Sequence, residues 1–181
     1  DITQENPMFK RILVALDYED TCVALFKKAV MLAQTTGAEL MLLSVLTPEG
    51  EDGLTIPSSS GLSYYSLSAS EAIWEMYQKH FEEYEAKGLK RLHSFNEEAQ
   101  AAGVPTEFTQ SFGSPGGVIC NLARTWQADL IMVGTHGRRG ISEMILGSVS
   151  NYVMHHAPCS VMVTKAQSVT DVTAETDQER E

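Results

Sequence analysis

The chain has 181 residues, of which 43 % are hydrophobic, enough for one domain with a sizeable core. Its 13 basic and 24 acidic side chains give a formal net charge of −11, which repels nucleic-acid phosphates and anionic membrane surfaces, so we expect neither as a partner. No apolar stretch approaches the roughly 20 residues that span a bilayer, and the three scattered cysteines favour neither a disulfide framework nor a metal site.

Strand and helix patterns alternate along the chain. Short, nearly continuous apolar runs are typical of strands buried on both faces of a parallel sheet, and the segments between them have helical periodicity. In chain order we predict a strand at 11–16, a helix between Thr21 and Gly37, a strand at 39–46, a helix at roughly 70–102, a strand at 104–112, a helix at 115–126, a strand at 129–134, a helix at 148–156 and a strand at 159–165. The segment 104–112 alternates polar and apolar residues, as an outer strand does.

Capping residues and glycines mark where the helices begin and end. Asp20 or Thr21 can cap the first helix, and Gly37 is placed to end it. Ser68 opens a capping-box pattern before the long second helix, which Gly103 can terminate.

Apolar faces on the helices predict how they pack. We interpret the methionine and aromatic residues of the long helix as core packing. Its apolar positions are Ile73, Tyr77, Phe81, Tyr84, Leu92, Phe95 and Ala99. Ser114 and Pro115 provide a cap and a first-turn proline for the following helix. The apolar face of that helix consists of Val118, Ile119, Leu122, Ala123 and Trp126.

Two segments stand outside this alternation. Residues 47–69 are rich in Ser, Gly and Pro and long for a connection, which indicates a surface loop or, with Tyr64 and Tyr65, a lid near a ligand. Residues 166–181 are polar and acidic, and we predict a disordered tail. The rest, 1–165, is predicted to be a single doubly wound α/β domain with 47–69 as a loop insert.

The candidate binding loop is "GTHGRRGISEMILGS" (134–148), directly after the fourth strand. In an open parallel sheet, ligands lie beyond the carboxyl ends of the strands, where the strand order reverses. If the strands are ordered 3-2-1-4-5, this reversal falls between the first and fourth strands. The loop would then meet Asp17, which ends the first strand.

Standard phosphate-binding and catalytic motifs do not explain this loop. The sequence has no Gly-Lys-Ser/Thr as in a Walker A loop, no G-x-G-x-x-G after the first strand and no G-x-S-x-G elbow. Asp17 has no adjacent acid at the end of its strand, so a receiver domain is also a poor match.

The loop composition nevertheless suits an anion. Glycines at 134, 137 and 140 let backbone N–H groups approach a phosphate closely. The helix that follows begins with unpaired N–H groups and a favourable dipole, and its serines can add hydroxyl donors. Arg138 or the adjacent arginine can neutralise phosphate charge. Together these features predict a polyphosphate cradle.

The arrangement resembles the universal stress protein family. Its nucleotide-binding members carry G-x2-G-x9-G-[ST] after strand four, and Gly134, Gly137, Gly147 and Ser148 have that spacing. The resemblance covers roughly residues 8–165, from the strand-one aspartate to the closing "HHAPCSVMVTK". It implies a five-stranded parallel sheet of order 3-2-1-4-5 with helices on both faces, and ATP or a related adenine nucleotide as ligand.

The resemblance also implies roles for individual residues. Asp17 would hold the ribose hydroxyls, Ala15 would lie against the adenine, and Val45 would supply backbone contacts to the base; as an alternative, Asp17 only caps the next helix. His136 we interpret as shaping the turn rather than as a base or ligand. The full predicted nucleotide-binding set is Ala15, Asp17, Val45, Gly134, His136, Gly137, Arg138, Gly140, Gly147, Ser148, Val149 and Ser150.

The sequence thus predicts a cytoplasmic stress-response regulator that acts through its nucleotide state, with an unidentified protein partner. Pairing of the apolar edge strand Cys159–Lys165 across a two-fold axis would make it a homodimer, as the family implies. Because no recognisable catalytic set is present, any ATP hydrolysis is expected to be slow, with no metal site in the protein and Mg²⁺ held mainly by the triphosphate. A slow ATPase or nucleotidyl-transfer enzyme and a dimeric interaction protein with a vestigial pocket are the alternatives.

Overall fold

The computed structural model describes residues 8–17, 22–47, 67–135 and 146–165; for residues 67–73 and 77 it describes the backbone only. The elements in chain order are β1 (Arg11–Ala15), α1 (Cys22–Thr36), β2 (Glu39–Leu46), α2 (Leu67–Ala101), β3 (Thr106–Phe112), α3 (Pro115–Thr125), β4 (Leu130–Gly134), α4 (Ser148–His156) and β5 (Ser160–Thr164). The strands form one parallel sheet of order β3-β2-β1-β4-β5. The predicted fold class is confirmed, and the alternating segment 104–112 does become an edge strand.

Helices cover both faces of the sheet. Because successive strand residues point to opposite faces, Ile12 and Val14 of β1 pack with α1 and α2, whereas Leu13 packs with α3 and α4. Phe26 of α1 and Phe95 of α2 stack with ring centroids 4.3 Å apart, which joins the two helices on their shared face. The near-continuous apolar strands are therefore explained by burial from both sides.

Glycine ends two of the helices, as the sequence predicts. Gly37 has φ +70° after α1, and Gly103 has φ +80° after α2. In each case the N–H of the following residue donates to a carbonyl in the last turn: Ala38 to Ala33 at 3.1 Å, and Val104 to Ala99 at 3.0 Å. This is the Schellman arrangement, which requires a left-handed residue that glycine adopts without strain.

The long helix α2 departs from two expectations. It begins at Leu67, so Ser68 lies inside the helix instead of capping it. Its methionine and aromatic residues are not all core residues, because Trp74 and Met76 are more than half exposed. Among the α2 side chains that the structure describes, fully buried positions begin at Gly88.

Other predictions fall wholly or partly outside the described residues. They concern the capping residues Asp20 and Thr21, residues 48–66 of the predicted insert with its two tyrosines, and the tail 166–181. The last three residues of the predicted insert, 67–69, belong to α2 instead. In the part of the chain that the structure describes, no helix combines the length and apolarity needed to cross a bilayer.

The cysteines behave as small apolar residues. Cys22 and Cys120 are buried thiols, Cys159 is half-buried, and none of the three forms a disulfide in the described part of the chain. Burial raises the pKa of the Cys120 thiol and is the main cause of the raised pKa of Cys159, so both thiols stay protonated near neutral pH.

Candidate functional site

A cavity of about 140 Å³ lies at the carboxyl ends of β1, β2 and β4. The helices reached from β1 and β4 lie on opposite faces of the sheet, so this is the point where the strand order reverses. The described lining residues are Ala15, Leu16, Asp17, Leu43, Val45, Thr47, Tyr84, Pro115, Ile119, Val133, Gly134, Gly147, Ser148, Val149 and Ser150.

Eight residues of the sequence-predicted set line this one cavity. They are Ala15, Asp17, Val45, Gly134, Gly147, Ser148, Val149 and Ser150. They come from three strands and the start of one helix, and are separated in sequence by up to 135 positions. The other four, His136, Gly137, Arg138 and Gly140, lie outside the described residues.

Asp17 follows β1 and lines the middle of the cavity. The described part of α1 begins at Cys22, and residues 18–21, which precede it, lie outside the described residues. The alternative in which Asp17 serves only as the helix cap therefore stays a prediction. Among the lining residues that the structure describes, Asp17 is the single carboxylate.

The N-terminus of α4 faces the cavity with its backbone donors. Gly147 is the N-cap residue in an extended conformation, and as a glycine it has no side chain to cap the first turn. The first intrahelical bond of the turn runs from the N–H of Asn151 to the carbonyl of Gly147 at 2.9 Å. The N–H groups of Ser148, Val149 and Ser150 therefore have no intrahelical acceptor, which is the geometry that favours an anion.

The two serines of this turn play different parts. Ser150 is only 2 % exposed, and its hydroxyl donates to the carbonyl of Gly147 at 3.1 Å. Its proton is thus engaged by the protein, and we revise the expectation that it offers a hydroxyl donor to a ligand. Ser148 is exposed at the cavity and keeps the position expected of such a donor.

The helix α3 forms the wall beside α4. Pro115 is its first residue and Ile119 lies one turn further, and both line the cavity. A Cβ atom added at Gly116 would lie 2.5 Å from Cδ1 of Tyr152, so glycine allows α3 and α4 to approach closely. This close packing positions the N-terminus of α4 against the cavity.

The predicted set leaves out seven of the described lining residues: Leu16, Leu43, Thr47, Tyr84, Pro115, Ile119 and Val133. Thr47 directly follows β2, so its position after a predicted strand was a signal for it. Tyr84 was interpreted as core packing, but it is half-buried at the cavity, near the end of β3.

Chemical character changes across the cavity in the order of the strands. The end at β2 is largely apolar, with Leu43 and Val45; the centre at β1 carries the carboxylate of Asp17; the end at β4 carries Gly134 and the donors of α4. An apolar ring, a hydroxylated linker and an anion match these three zones in the same order.

A comparison with protein-family models decides the relationship, because the universal stress protein family matches residues 8–165. The chain belongs to the universal stress protein family. A universal stress protein of Synechocystis sp. is 32 % identical over 157 residues, which cover 87 % of this chain and 98 % of that protein. A putative universal stress protein of Staphylococcus epidermidis is 34 % identical over 163 residues, which cover 89 % of this chain and 87 % of that protein.

Solved structures share the fold of this family member at lower identity. A universal stress protein family protein from Arabidopsis thaliana with AMP bound has a TM-score of 0.56 and 23 % identity, covering 88 % of this chain and 93 % of that one. A universal stress protein in complex with cAMP has a TM-score of 0.56 and 21 % identity, and the match covers 88 % of this chain and 98 % of that one.

Proposed function

We propose that this universal stress protein binds an adenine nucleotide in the cavity and acts as a stress-response regulator through its nucleotide state. The base lies at the β2 end, near Ala15 and Val45. Asp17 accepts hydrogen bonds from the ribose hydroxyls. The phosphates lie at Gly134 and the N-terminus of α4, whose N–H groups donate to them.

The observation that carries this proposal is the order of the three chemical zones along β2, β1 and β4. It is supported by the two fold relatives with bound AMP and cAMP, which share an adenine ring, a ribose and a single phosphate. The sequence-predicted loop residues, His136, Gly137, Arg138 and Gly140, would complete the phosphate end, with the arginine supplying positive charge to a chain of net charge −11.

Titration calorimetry with AMP, ADP and ATP tests this proposal. We expect saturable binding of one nucleotide per chain, and Gly147→Val is expected to weaken it at least about tenfold, because the added side chain stands at the phosphate end. The backbone of Gly147 (φ −62°, ψ 160°) is one that any residue adopts, so the fold should persist.

Gly117→Ala is the matched control. Gly117 lies in α3, lines no part of the cavity, and a Cβ atom there would meet nothing within 4 Å. This variant should bind like the wild type. Failure of the wild type to bind any of the three nucleotides would contradict the proposal and favour an interaction protein with a vestigial pocket.

We propose binding with at most slow turnover. Hydrolysis of a triphosphate needs an oriented water and usually metal ligands, and the described lining residues offer one carboxylate, Asp17. Mg²⁺ would then arrive with ATP and be held mainly by its phosphates. A single-turnover assay with labelled ATP separates the possibilities, since turnover clearly faster than in buffer would identify a slow ATPase or a nucleotidyl-transfer enzyme.

We further propose a homodimer formed through the edge strand β5, within the predicted segment Cys159–Lys165. This strand ends the sheet beside β4, and an unpaired edge can be satisfied by a second copy across a two-fold axis. Met162 is the middle residue of β5 and is 37 % exposed. In a symmetric pairing centred on it, each Met162 would face its own copy.

Met162→Glu is therefore expected to weaken the dimer at least about tenfold, because it places like charges opposite each other. Met31→Glu on α1 is the control, since it changes the charge equally at an exposed methionine away from β5. Sedimentation equilibrium measures both variants. A monomeric wild type, or equal dimerisation of the two variants, would refute pairing through β5.

A further inference from the structure

The aromatic residue Tyr84 occupies an unusual place at the cavity. It is the single aromatic among the described lining residues. It comes from α2, which packs on the face of the sheet opposite to that of α3. Tyr84 therefore bounds the cavity from one helix layer, while Pro115 and Ile119 bound it from the other.

The inward stripe of α2 explains why Tyr84 points there. Gly88, Leu92, Phe95 and Ala99 are buried and recur at helical spacing, which places them on one face. Tyr84 continues this face about two turns N-terminal to Leu92, at the level of the last residues of β3. A side chain on this face of α2 therefore reaches the cavity at the carboxyl ends of the strands.

The backbone of α2 around Tyr84 is anchored on β3. The ring of Phe81 packs edge-on against Phe112 at the end of β3, with centroids 6.0 Å apart. The side-chain amide of Gln110 donates to the carbonyl of Glu85 at 3.4 Å. These contacts flank Tyr84 on both sides and fix the backbone of α2 from which its side chain extends.

We propose that the Tyr84 ring forms the wall of the cavity against which the nucleotide base lies, and that it favours the larger purine ring over a pyrimidine. This inference rests on the proposed function. An aromatic wall gains contact area with the size of a planar base, whereas the ribose and phosphate zones at β1 and β4 are equally available to every nucleotide.

The test compares Tyr84→Ala and Tyr84→Phe in the full chain, with AMP, CMP and ribose 5-phosphate as probes. Tyr84→Ala should weaken AMP binding roughly 5- to 50-fold and reduce the preference for AMP over CMP, because base–aromatic contact is lost. Tyr84→Phe keeps the ring and should bind AMP within about threefold of the wild type. Ribose 5-phosphate has no base, so its dissociation constant should not change.

The control Trp74→Ala removes another aromatic side chain from α2, which is 53 % exposed and lines no part of the cavity. An AMP loss in Trp74→Ala equal to that in Tyr84→Ala, or a ribose 5-phosphate loss that matches the AMP loss, would overturn the inference and indicate displacement of α2. Unchanged AMP affinity in Tyr84→Ala would also overturn it and leave the proposed function standing. A wild type that binds no AMP would contradict the proposed function itself.

Discussion

Replacing Asp17 by alanine is expected to weaken AMP binding about 10- to 100-fold, which corresponds to the loss of hydrogen bonds to a charged acceptor. Asp17 lies at the centre of the cavity, between the apolar end at β2 and the donors of α4. A carboxylate only accepts hydrogen bonds, and the two ribose hydroxyls of a nucleotide can donate two.

Whether Asp17→Ala weakens or strengthens AMP binding distinguishes two roles for Asp17. The chain carries a net charge of −11, and a carboxylate near a phosphate repels it. If Asp17 acted on the ligand through charge alone, its removal would strengthen AMP binding. A weaker complex therefore reports the hydrogen bonds, and Glu107→Ala, at an exposed site outside this cavity, controls for the change in net charge.

An AMP analogue without the two ribose hydroxyls completes the experiment. The wild type should bind this 2′,3′-dideoxy compound more weakly than AMP, and Asp17→Ala should bind the two equally. A helix-capping role would instead appear as a loss of about 0.5–2 kcal/mol of folding stability, with both compounds affected alike. Thermal denaturation of the variant without ligand measures that loss.

The fold was largely predictable from sequence because its signals are local. Apolar runs mark the strands to within two residues at each end, and left-handed glycines end α1 and α2. The left-handed residue after α3 is Gln127 (φ +59°), which carries no glycine signal; the sequence prediction ended this helix at Trp126, one residue beyond Thr125. The start of α2 was missed because Ser68 matches a cap pattern that the helix does not use.

The site was predictable where it depends on topology and not where it depends on helix placement. Asp17 and Gly134 end adjacent strands, so the strand order alone brings them together. The position of Tyr84 depends on how α2 packs against β3, and the bond of Ser150 depends on the conformation of Gly147. Neither is encoded in a local residue pattern.

The contact between α3 and α4 is the second feature with a large expected effect. Gly116 and Gly117 are adjacent glycines in α3, with opposite surroundings. A Cβ atom at Gly116 would lie 2.5 Å from Cδ1 and 2.8 Å from Cγ of Tyr152, whereas one at Gly117 would meet nothing within 4 Å. Tyr152 is held by its stacking on His156, with centroids 4.1 Å apart.

Gly116→Ala is expected to destabilise the protein by about 1–3 kcal/mol relative to Gly117→Ala, because the new methyl group overpacks the contact between α3 and α4. Both variants gain similar helix propensity, about 0.5–1 kcal/mol, so their difference isolates the contact with Tyr152. Urea denaturation measures the free energy of unfolding for each. Equal stability of the two variants would refute the close approach of α3 and α4.

The double variant Gly116→Ala with Tyr152→Ala decides the cause of the loss. Removing the ring removes the two nearest atoms and keeps the third, the Cβ of residue 152, at 3.1 Å from the added methyl group, so most of the lost stability should return. Because Tyr152 lies in the helix whose N-terminus donates to the phosphate, Gly116→Ala should also weaken AMP binding, and the double variant should recover it. A packing defect at residues that do not line the cavity would thereby change binding through the position of α4, without any change in the groups that touch the nucleotide.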